Sequence, residues 1–344
     1  MNPTDGKASK NKASKPEAGK ETKGRFSLID FAKRQVEQSL AFAALIVLII
    51  FFSLASPNFL TWSNISGILL ATAVIGILAL GTTFVIITGG IDLSIGTGMA
   101  LSAVITGLVS VNLGLPIWVG IIAGVLTGAF IGFINGVNVA ILGLTPFIAT
   151  LAMMMVASGL ALILSGVKPI YFSAAQPDFN DVAVGTILGG IPNAVLITAV
   201  LAIIASFFLG RTLLGRYTFA IGSNEEATRL SGVNIKFWKI VIYTFSGFFT
   251  GFAGVIIASR LDSAQPQIGA GYELQAIAAV IIGGTSLLGG RGSIVGTIIG
   301  ALIMSVVING LRILSIQTEW QSVVVGIVIL VAVFADSLRN KKST

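Results

Sequence analysis

The sequence predicts an all-α polytopic membrane protein with about ten transmembrane helices, some of them discontinuous, and with both termini in the cytoplasm. Of its 344 residues, 55% are hydrophobic and only 10% are charged, against about 25% charged in an ordinary soluble domain. Long uncharged runs follow one another, and about 18 apolar residues are enough to cross about 30 Å of hydrocarbon as a helix. The sequence has no cysteine or histidine, so we expect no catalytic residues, no metal site and no disulfide.

Three domains are predicted from the distribution of charge. Residues 1–38 carry nine Lys or Arg among Ala, Ser, Gly and Glu, which predicts a disordered basic tail in the cytoplasm. Residues 39–336 form the transmembrane domain in contact with membrane lipid, and residues 337–344 form a second cytoplasmic tail. The net charge of +7 lies mostly in the tails and one loop, as membrane topology requires, so no nucleic-acid partner is expected.

Ten uncharged runs predict the spans in chain order, with breaks at clusters of Gly, Pro, Asn and Ser. The predicted spans are residues 39–55, 64–88, 93–111, 116–137, 146–165, 191–209, 240–258, 274–290, 293–311 and 320–336. A polar segment over 166–190 separates the fifth span from the sixth, and a charged loop over 210–239 separates the sixth from the seventh.

The positive-inside rule supports this count, because Lys and Arg concentrate in cytoplasmic connections. Ten spans with both ends inside place 18 of the 21 basic residues in the cytoplasm. Only Lys168, Arg260 and Arg312 then lie outside. A miscount by one span before the 210–239 loop would reverse the alternation.

Glycines recur every four residues in two of the predicted spans. They are Gly120, Gly124, Gly128, Gly132 and Gly136 in the fourth span, and Gly292, Gly296 and Gly300 in the ninth. Small residues at this spacing let helix backbones approach closely in lipid. We interpret both stripes as packing faces, and expect Gly124→Ala to be milder than Gly90→Leu or Gly284→Leu.

Asp92 is the only charge between Gln38 and Lys168, and it lies in the break "GGIDLSIGT". Either Asp92 or Ser94 caps the helix that restarts there, or this polar break lines a translocation route. A proton relay through Asp92 is a third interpretation. A second break, "GGTSLLGGRGSIVGT", resembles the first, as in an internal duplication.

Several polar residues near these breaks are candidates for the same route. Glu273 is either a helix-start carboxylate favoured by the helix dipole or a substrate contact. The side-chain amides of Asn135, Asn138 and Asn309 lie in apolar spans. Each either forms a hydrogen bond between helices or lines the translocation route. The pathway candidates are Asp92, Ser94, Asn135, Asn138, Glu273, Gly284, Thr285 and Asn309.

The loop segment "GSNEEATRLSGVN" contains the start and stop signals of a short helix. Ser223 with Glu226 has the spacing of a capping box, Arg229 follows Glu225 by four residues, and Gly232 can end the helix. About two turns are too few to be stable alone in water. The segment is therefore either a solvated loop helix or one that needs a partner.

Longer stretches carry a family resemblance. "GGIDLSIG", "INGVNVAILGLTPFIATLAMMMVASGLA", "GRYTFAIGSNEEATRLSGVN", "YELQAIAAVIIGGTSLLGGRGSIVGTIIGALI" and "WQSVVVGIVILVAVFAD" resemble, in order, the permease subunit of bacterial ABC importers for monosaccharides, the ribose transporter permease family. The resemblance runs from Gln38 to Asp336. One departure is Thr228, which replaces the second alanine of the family's Glu-Ala-Ala motif.

The resemblance implies a transport subunit of the bacterial inner membrane that is not itself an enzyme. It implies a homodimer of permeases, a cytoplasmic ABC ATPase and an extracytoplasmic sugar-binding protein, with ribose or a related pentose as the first choice of substrate. The chain contains no GxxxxGK[ST] loop, so ATP and Mg are expected on the ATPase and no cofactor on this chain. Ser223, Asn224, Glu225, Glu226, Ala227, Arg229 and Gly232 would form the ATPase-coupling helix.

Alternatives remain for substrate and energy source. Other sugars, autoinducer-type furanoses or nucleosides are possible cargoes for related permeases. A proton-coupled secondary carrier using Asp92 or Glu273 is a rival from another class, and it would need no docking helix in the 210–239 loop.

Overall fold

A computed structural model describes the backbone of residues 28–341 and the side chains of residues 39–338, except that of Leu188. The chain divides after Val36 into two units, and the elements discussed below belong to the second, except for the first residues of helix α1. Most of the predicted basic tail, residues 1–27, lies outside the described residues, as do residues 342–344. Helix α1 begins at Leu28, inside the range assigned to that tail.

Helices form most of the described chain, which confirms the all-α polytopic prediction. The helices are α1 (Leu28–Ala55), α2 (Trp62–Ile87), α3 (Ile95–Gly107), α4 (Ile117–Ala140), α5 (Pro146–Ser165), α6 (Asn193–Arg211), α7 (Leu213–Ser223), α8 (Glu225–Leu230), α9 (Ile235–Leu261), α10 (Tyr272–Ile282), α11 (Ile294–Ile313) and α12 (Thr318–Lys341). A π-helical turn, Leu108–Asn112, extends α3.

Within the described residues, eight helices are long and apolar enough to cross a membrane. Two shorter apolar helices, Ser39–Ala55 and Tyr272–Ile282, occupy the first and eighth predicted positions. The eighth prediction, 274–290, is wrong in extent, because α10 ends at Ile282 and the chain then turns through Gly283 and Gly284. The tight turn there needs a positive φ, which Gly284 supplies at +90°.

The core lies around α2, which other helices enclose almost completely. Helices α9, α10 and α11 pack directly on α2. By contrast, α12 lies at the periphery, and Gln321 and Asp336 are the only buried side chains among its described residues. Helices α4, α5 and α6 are buried on one face only, and their other faces carry large exposed apolar side chains, as expected of surfaces in contact with lipid.

The glycine stripe of α4 is a packing face, as predicted. Its first part lies against α3 and its later part against α9, where a Cβ atom at Gly128 would overlap the backbone of Gly247 and Gly251. Gly132 likewise contacts the backbone at Tyr243 and Gly247. These two helices form the most extensive helix pair in the described chain, because the absence of side chains lets their backbones approach closely.

Between α9 and α10 the chain returns into the bundle without forming a helix. Ala264 packs near Gly107, and Gly269 packs against Gly96, about three turns farther along α3. At a rise of 1.5 Å per residue, Gly269 therefore lies about 16 Å from Ala264 along the axis of α3, toward the start of that helix. Non-helical backbone at membrane depth requires enclosure by protein, and Gly269 is buried as this requires.

The polar segment 166–190 folds over the end of α9. Strand β1 (Ile170–Tyr171) pairs antiparallel with β4 (Ser263–Ala264), and β2 (Thr186–Leu188) pairs with β3 (Ile191–Pro192). A 3₁₀ turn over Pro177–Val182 lies between β1 and β2. The buried hydroxyl of Ser259 donates to the Phe179 carbonyl at 2.6 Å and accepts from the Ala183 amide at 2.9 Å.

Candidate functional site

The charged loop contains two helices, α7 and α8, where the sequence predicts one. Ser223 is the last residue of α7, so it is not the N-cap of the next helix. Asn224, at φ −161°, takes that place, and its Oδ1 accepts from the Ala227 amide at 2.9 Å. The predicted capping box is therefore wrong by one residue, because α7, a helix not predicted from the sequence, extends through Ser223.

Two ion pairs involve the acidic residues of α8, and neither joins Glu225 to Arg229, which follows it by four residues. Arg229 donates to Glu226, with Nη2 at 2.6 Å and Nε at 3.1 Å from its two oxygens. This hydrogen bond lowers the pKa of the Glu226 carboxyl and raises the pKa of Arg229. Glu225 accepts from Lys239 of α9 at 2.8 Å. One pair thus stays within α8, and the other ties α8 to the membrane helix that follows.

The remaining features of α8 leave one face open. Gly232 adopts φ +84° after the helix ends, which is the left-handed conformation typical of a helix C-terminus. Thr228 is 7% exposed and anchors the inner face, whereas Ala227 is exposed and Leu230 is 77% exposed. Phe237, at the start of α9, is 55% exposed.

Asp92 lies in the turn before α3 and is hydrogen-bonded to a residue of α4. Its Oδ1 accepts from the Ser94 amide at 2.9 Å and from the Ser94 hydroxyl at 2.7 Å. Asn135 donates to Ser94 Oγ at 2.8 Å, and its Nδ2 lies 3.4 Å from both Asp92 oxygens. Asp92 is 2% exposed and Asn135 is fully buried. Ser94 holds the N-cap position of α3, but no side chain caps that helix, so the predicted cap by Asp92 or Ser94 is wrong. The carboxylate instead closes a buried turn before α3, which Asn135 joins to α4.

Two residues that sequence reasoning missed complete this cluster. Thr150 of α5 accepts from the Leu93 amide at 3.1 Å. Tyr243 of α9 places its hydroxyl against Gly90, where a Cβ atom would lie 2.6 Å from it. Neither residue has a signal in the sequence, because each lies in an ordinary apolar helix. Among the described residues, the Tyr243 hydroxyl and Asn135 Oδ1 have no hydrogen-bond partner.

Glu273 lies in the first turn of α10 and not beside Asp92. Its Oε1 accepts from the Gly271 amide at 3.1 Å, as a helix-start carboxylate does. Its Oε2 is buried against Gly96 and has no hydrogen-bond partner among the described residues. The carboxylate therefore lies where the returning chain meets α3.

The other pathway candidates are dispersed. Gly284 and the fully buried Thr285 lie in the turn after α10. Asn138 is half-buried near the end of α4, and Asn309 is half-buried in α11. Of the eight pathway candidates, the structure brings Asp92, Ser94 and Asn135 into one hydrogen-bonded group and leaves the rest elsewhere.

Asp336 is a further polar residue that the sequence did not single out. It lies on α12 and is 9% exposed. Its Oδ2 accepts from the Leu287 amide at 3.1 Å and lies 3.4 Å from the Ser286 hydroxyl. The carboxylate thus ties the loop between α10 and α11 to the last helix.

Comparisons with known proteins agree with this architecture. A family model described as "Branched-chain amino acid transport system / permease component" matches residues 64–333. The ribose import permease protein of Escherichia coli (strain K12) is 43% identical over 314 residues, which are 91% of this chain and 96% of that protein. The ribose import permease protein of Bacillus subtilis (strain 168) is 44% identical over 302 residues, 88% of this chain and 92% of its own.

A permease named for another sugar is also similar. The D-allose transport system permease protein of Escherichia coli (strain K12) is 39% identical over 301 residues, 87% of this chain and 91% of that protein. The family model and these relatives each cover most of the chain. This protein therefore belongs to the family of ABC-importer permeases, multi-pass inner-membrane transport subunits rather than enzymes, that includes the ribose import permeases.

Proposed function

We propose that this chain is the translocating subunit of an ATP-driven importer for ribose or a closely related monosaccharide. The identity to permeases named for ribose and D-allose supports this substrate class. A xylose transport system permease of Haemophilus influenzae is 35% identical. Ribose is our first choice, because the relatives named for it are more similar to this chain.

The permease would act as a homodimer in membrane lipid, with a cytoplasmic ATPase and an extracytoplasmic sugar-binding protein. ATP and Mg would bind the ATPase, and this chain would hold no cofactor. The exposed apolar faces of α4, α5, α6 and α12 suit lipid or a second copy of the chain. The sugar-binding protein would approach the folded 166–190 segment, which lies on the predicted outer side.

The open face of α8 is the observation that carries the proposal of ATPase coupling. A six-residue helix is too short to be stable alone, and it is held by Thr228 inside and by Glu225 with Lys239. Its exposed Ala227 and Leu230 offer a small apolar surface for a groove in a partner. Closure of the ATPase would displace α8 and, through it, α7 and α9.

Uptake by reconstituted vesicles that contain the permease and the ATPase, with ATP enclosed and the binding protein outside, tests the transport function. We expect radiolabelled ribose uptake to require ATP and all three components and to exceed uptake of D-allose and xylose. A protonophore should leave it unchanged. Uptake driven by a proton gradient without ATP would contradict the proposal and favour a secondary carrier.

Docking of α8 gives a separate prediction. Ala227→Asp should weaken binding of the ATPase by at least about tenfold, because an unpaired charge would be buried at the interface. Gly143→Asp is the matched control, since Gly143 lies in the open turn after α4, on the same predicted side, and Asp tolerates its positive φ better than most residues. Titration of detergent-solubilised permease with ATPase measures both. Equal affinities would contradict docking through α8.

A further inference from the structure

Three backbone segments meet beside the start of α8, and we call their meeting point the glycine junction. It consists of Ile87 at the end of α2, Gly222 near the end of α7, and Gly289 with Gly290 in the loop between α10 and α11. The Gly290 amide donates to the Ile87 carbonyl at 2.8 Å. The three segments are far apart in sequence and make direct backbone contact.

The contacts require glycine at these positions. A Cβ atom at Gly222 would overlap the Ile87 carbonyl oxygen and lie 2.6 Å from the Gly290 nitrogen. A Cβ atom at Gly289 would lie 2.8 Å from the Gly222 carbonyl oxygen and 3.0 Å from that of Ile87. Gly289 and Gly290 also have φ values of +86° and +73°, which other residues resist.

Each segment of the glycine junction leads to a different functional part of the molecule. Gly222 is followed by Ser223, Asn224 and then α8. Ile87 leads through the next turn to Asp92, which is tied to α4 through Asn135 and Ser94. The Gly289–Gly290 loop is anchored to α12 by Asp336.

We propose that the glycine junction positions the α2–α3 break and the α10–α11 loop according to the position of α8. The inference depends on the proposed ATP-driven transport and adds how motion of α8 would reach the membrane helices. Backbone atoms in direct contact leave no flexible side chain to absorb a displacement, and close-packed interiors transmit such shifts. When the ATPase moves α8, the end of α2 and the loop move with it. Gly222 and Gly289 are therefore positioning residues of transport, not contacts to sugar or ATPase.

The test compares Gly222→Ala with Gly210→Ala. Both glycines lie in helices on the predicted cytoplasmic side, but a Cβ atom at Gly210 meets nothing within 4 Å. The permease–ATPase complex is reconstituted with binding protein, and ribose uptake and ATP hydrolysis are measured together. We expect Gly222→Ala to bind the ATPase with unchanged affinity but to move about tenfold less ribose per ATP, a typical coupling loss between sites. Gly210→Ala should match the wild type.

A wild-type ratio of ribose to ATP in a folded Gly222→Ala complex would overturn the inference while leaving the proposed function intact. Wild-type protein that takes up no sugar with ATP would overturn both. If Gly222→Ala does not fold, Asp336→Ala decides, since it removes the acceptor of the Leu287 amide without adding bulk. A lower ratio in that variant supports the inference, and an unchanged ratio contradicts it.

Discussion

Asn224 shows how the identity of a cap depends on a neighbouring helix. The motif from Ser223 to Glu226 has capping-box spacing, yet Ser223 is already the final residue of α7. The first residue free to adopt an extended backbone is Asn224, and its short side-chain oxygen can reach the Ala227 amide. No sequence signal marks the end of α7, because Gly222 is a poor helix former that tertiary contacts retain in the helix.

The N-cap assignment predicts unequal effects at adjacent positions. Asn224→Ala should destabilise α8 by about 1 kcal/mol, and so weaken ATPase binding by about fivefold. Ser223→Ala should change binding little, because the Ser223 side chain makes no capping bond in the structure. Titration of each variant with the ATPase measures the difference. A larger loss for Ser223→Ala would show that the capping box forms after all.

Asp92 is a second case in which the local environment decides between interpretations. Its carboxylate accepts two hydrogen bonds from Ser94 and lies beside an amide of α4. A structural acceptor needs an oxygen at this place, whereas a proton relay needs a group that titrates. Substitution by Asn separates these roles, because Asn keeps one acceptor oxygen and cannot carry the proton.

We expect Asp92→Asn to retain ATP-driven uptake at near the wild-type rate. Asp92→Ala should lower the stability of the permease by about 1–3 kcal/mol, because it leaves the buried Ser94 amide and hydroxyl without their acceptor. Thermal unfolding in detergent and vesicle uptake measure the two effects. Complete loss of uptake in a well-folded Asp92→Asn protein would instead favour the proton relay.

At the scale of elements, glycine spacing predicted which faces pack but not how tightly each position is enclosed. That Gly124→Ala is milder than Gly90→Leu or Gly284→Leu stays a prediction, but Gly124 is itself closely enclosed. A Cβ atom there would overlap Thr106 Oγ1 and lie 2.8 Å from the Ser102 carbonyl oxygen. The glycine stripe of α11 packs as closely on its neighbour, since Gly296 lies against the backbone of Gly283. A glycine repeat identifies the packing face of a helix, but the neighbouring helix determines how much stability a Gly→Ala substitution costs.

The pairing of α4 with α9 therefore predicts a large effect from a small substitution. Gly128→Ala should destabilise the permease by about 1–3 kcal/mol through overpacking, since its Cβ atom would overlap the backbone of α9. Gly159→Ala in α5 is the matched control, because nothing lies within 4 Å of its Cβ position. Thermal unfolding midpoints in detergent compare them. Equal midpoints would contradict direct backbone packing of these helices.

For the whole molecule, apolar runs and charge alternation were sufficient to predict the fold class and the places of ten apolar helices. They failed at α10, because hydropathy cannot distinguish a full span from a short helix followed by an apolar turn. They also missed Thr150, Tyr243 and Asp336, whose roles depend on residues distant in sequence. Polar groups in apolar helices acquire partners only when the bundle forms.

The short α10 raises the question of whether the chain still crosses the membrane there. Its 11 residues cover about 16 Å, roughly half of the hydrocarbon. The non-helical segment before it descends by a similar distance, from Ala264 beside Gly107 to Gly269 beside Gly96. We therefore expect the two pieces together to complete one crossing, so that the number of crossings, and with it the side of the next loop, stays as ten spans require.

This argument predicts that the loop between α10 and α11 faces the cytoplasm. The sequence has no cysteine, so single cysteines can be labelled without removing native ones. Leu288→Cys, at a position 73% exposed, should react with a membrane-impermeant maleimide only from the cytoplasmic side, as should Ser231→Cys beside α8. Tyr171→Cys, at a position 63% exposed, should react only from outside. If Leu288→Cys reacts with reagent added outside while Ser231→Cys does not, the prediction is wrong. The descending segment and α10 would then not cross the membrane together, and the chain would return to the side it left.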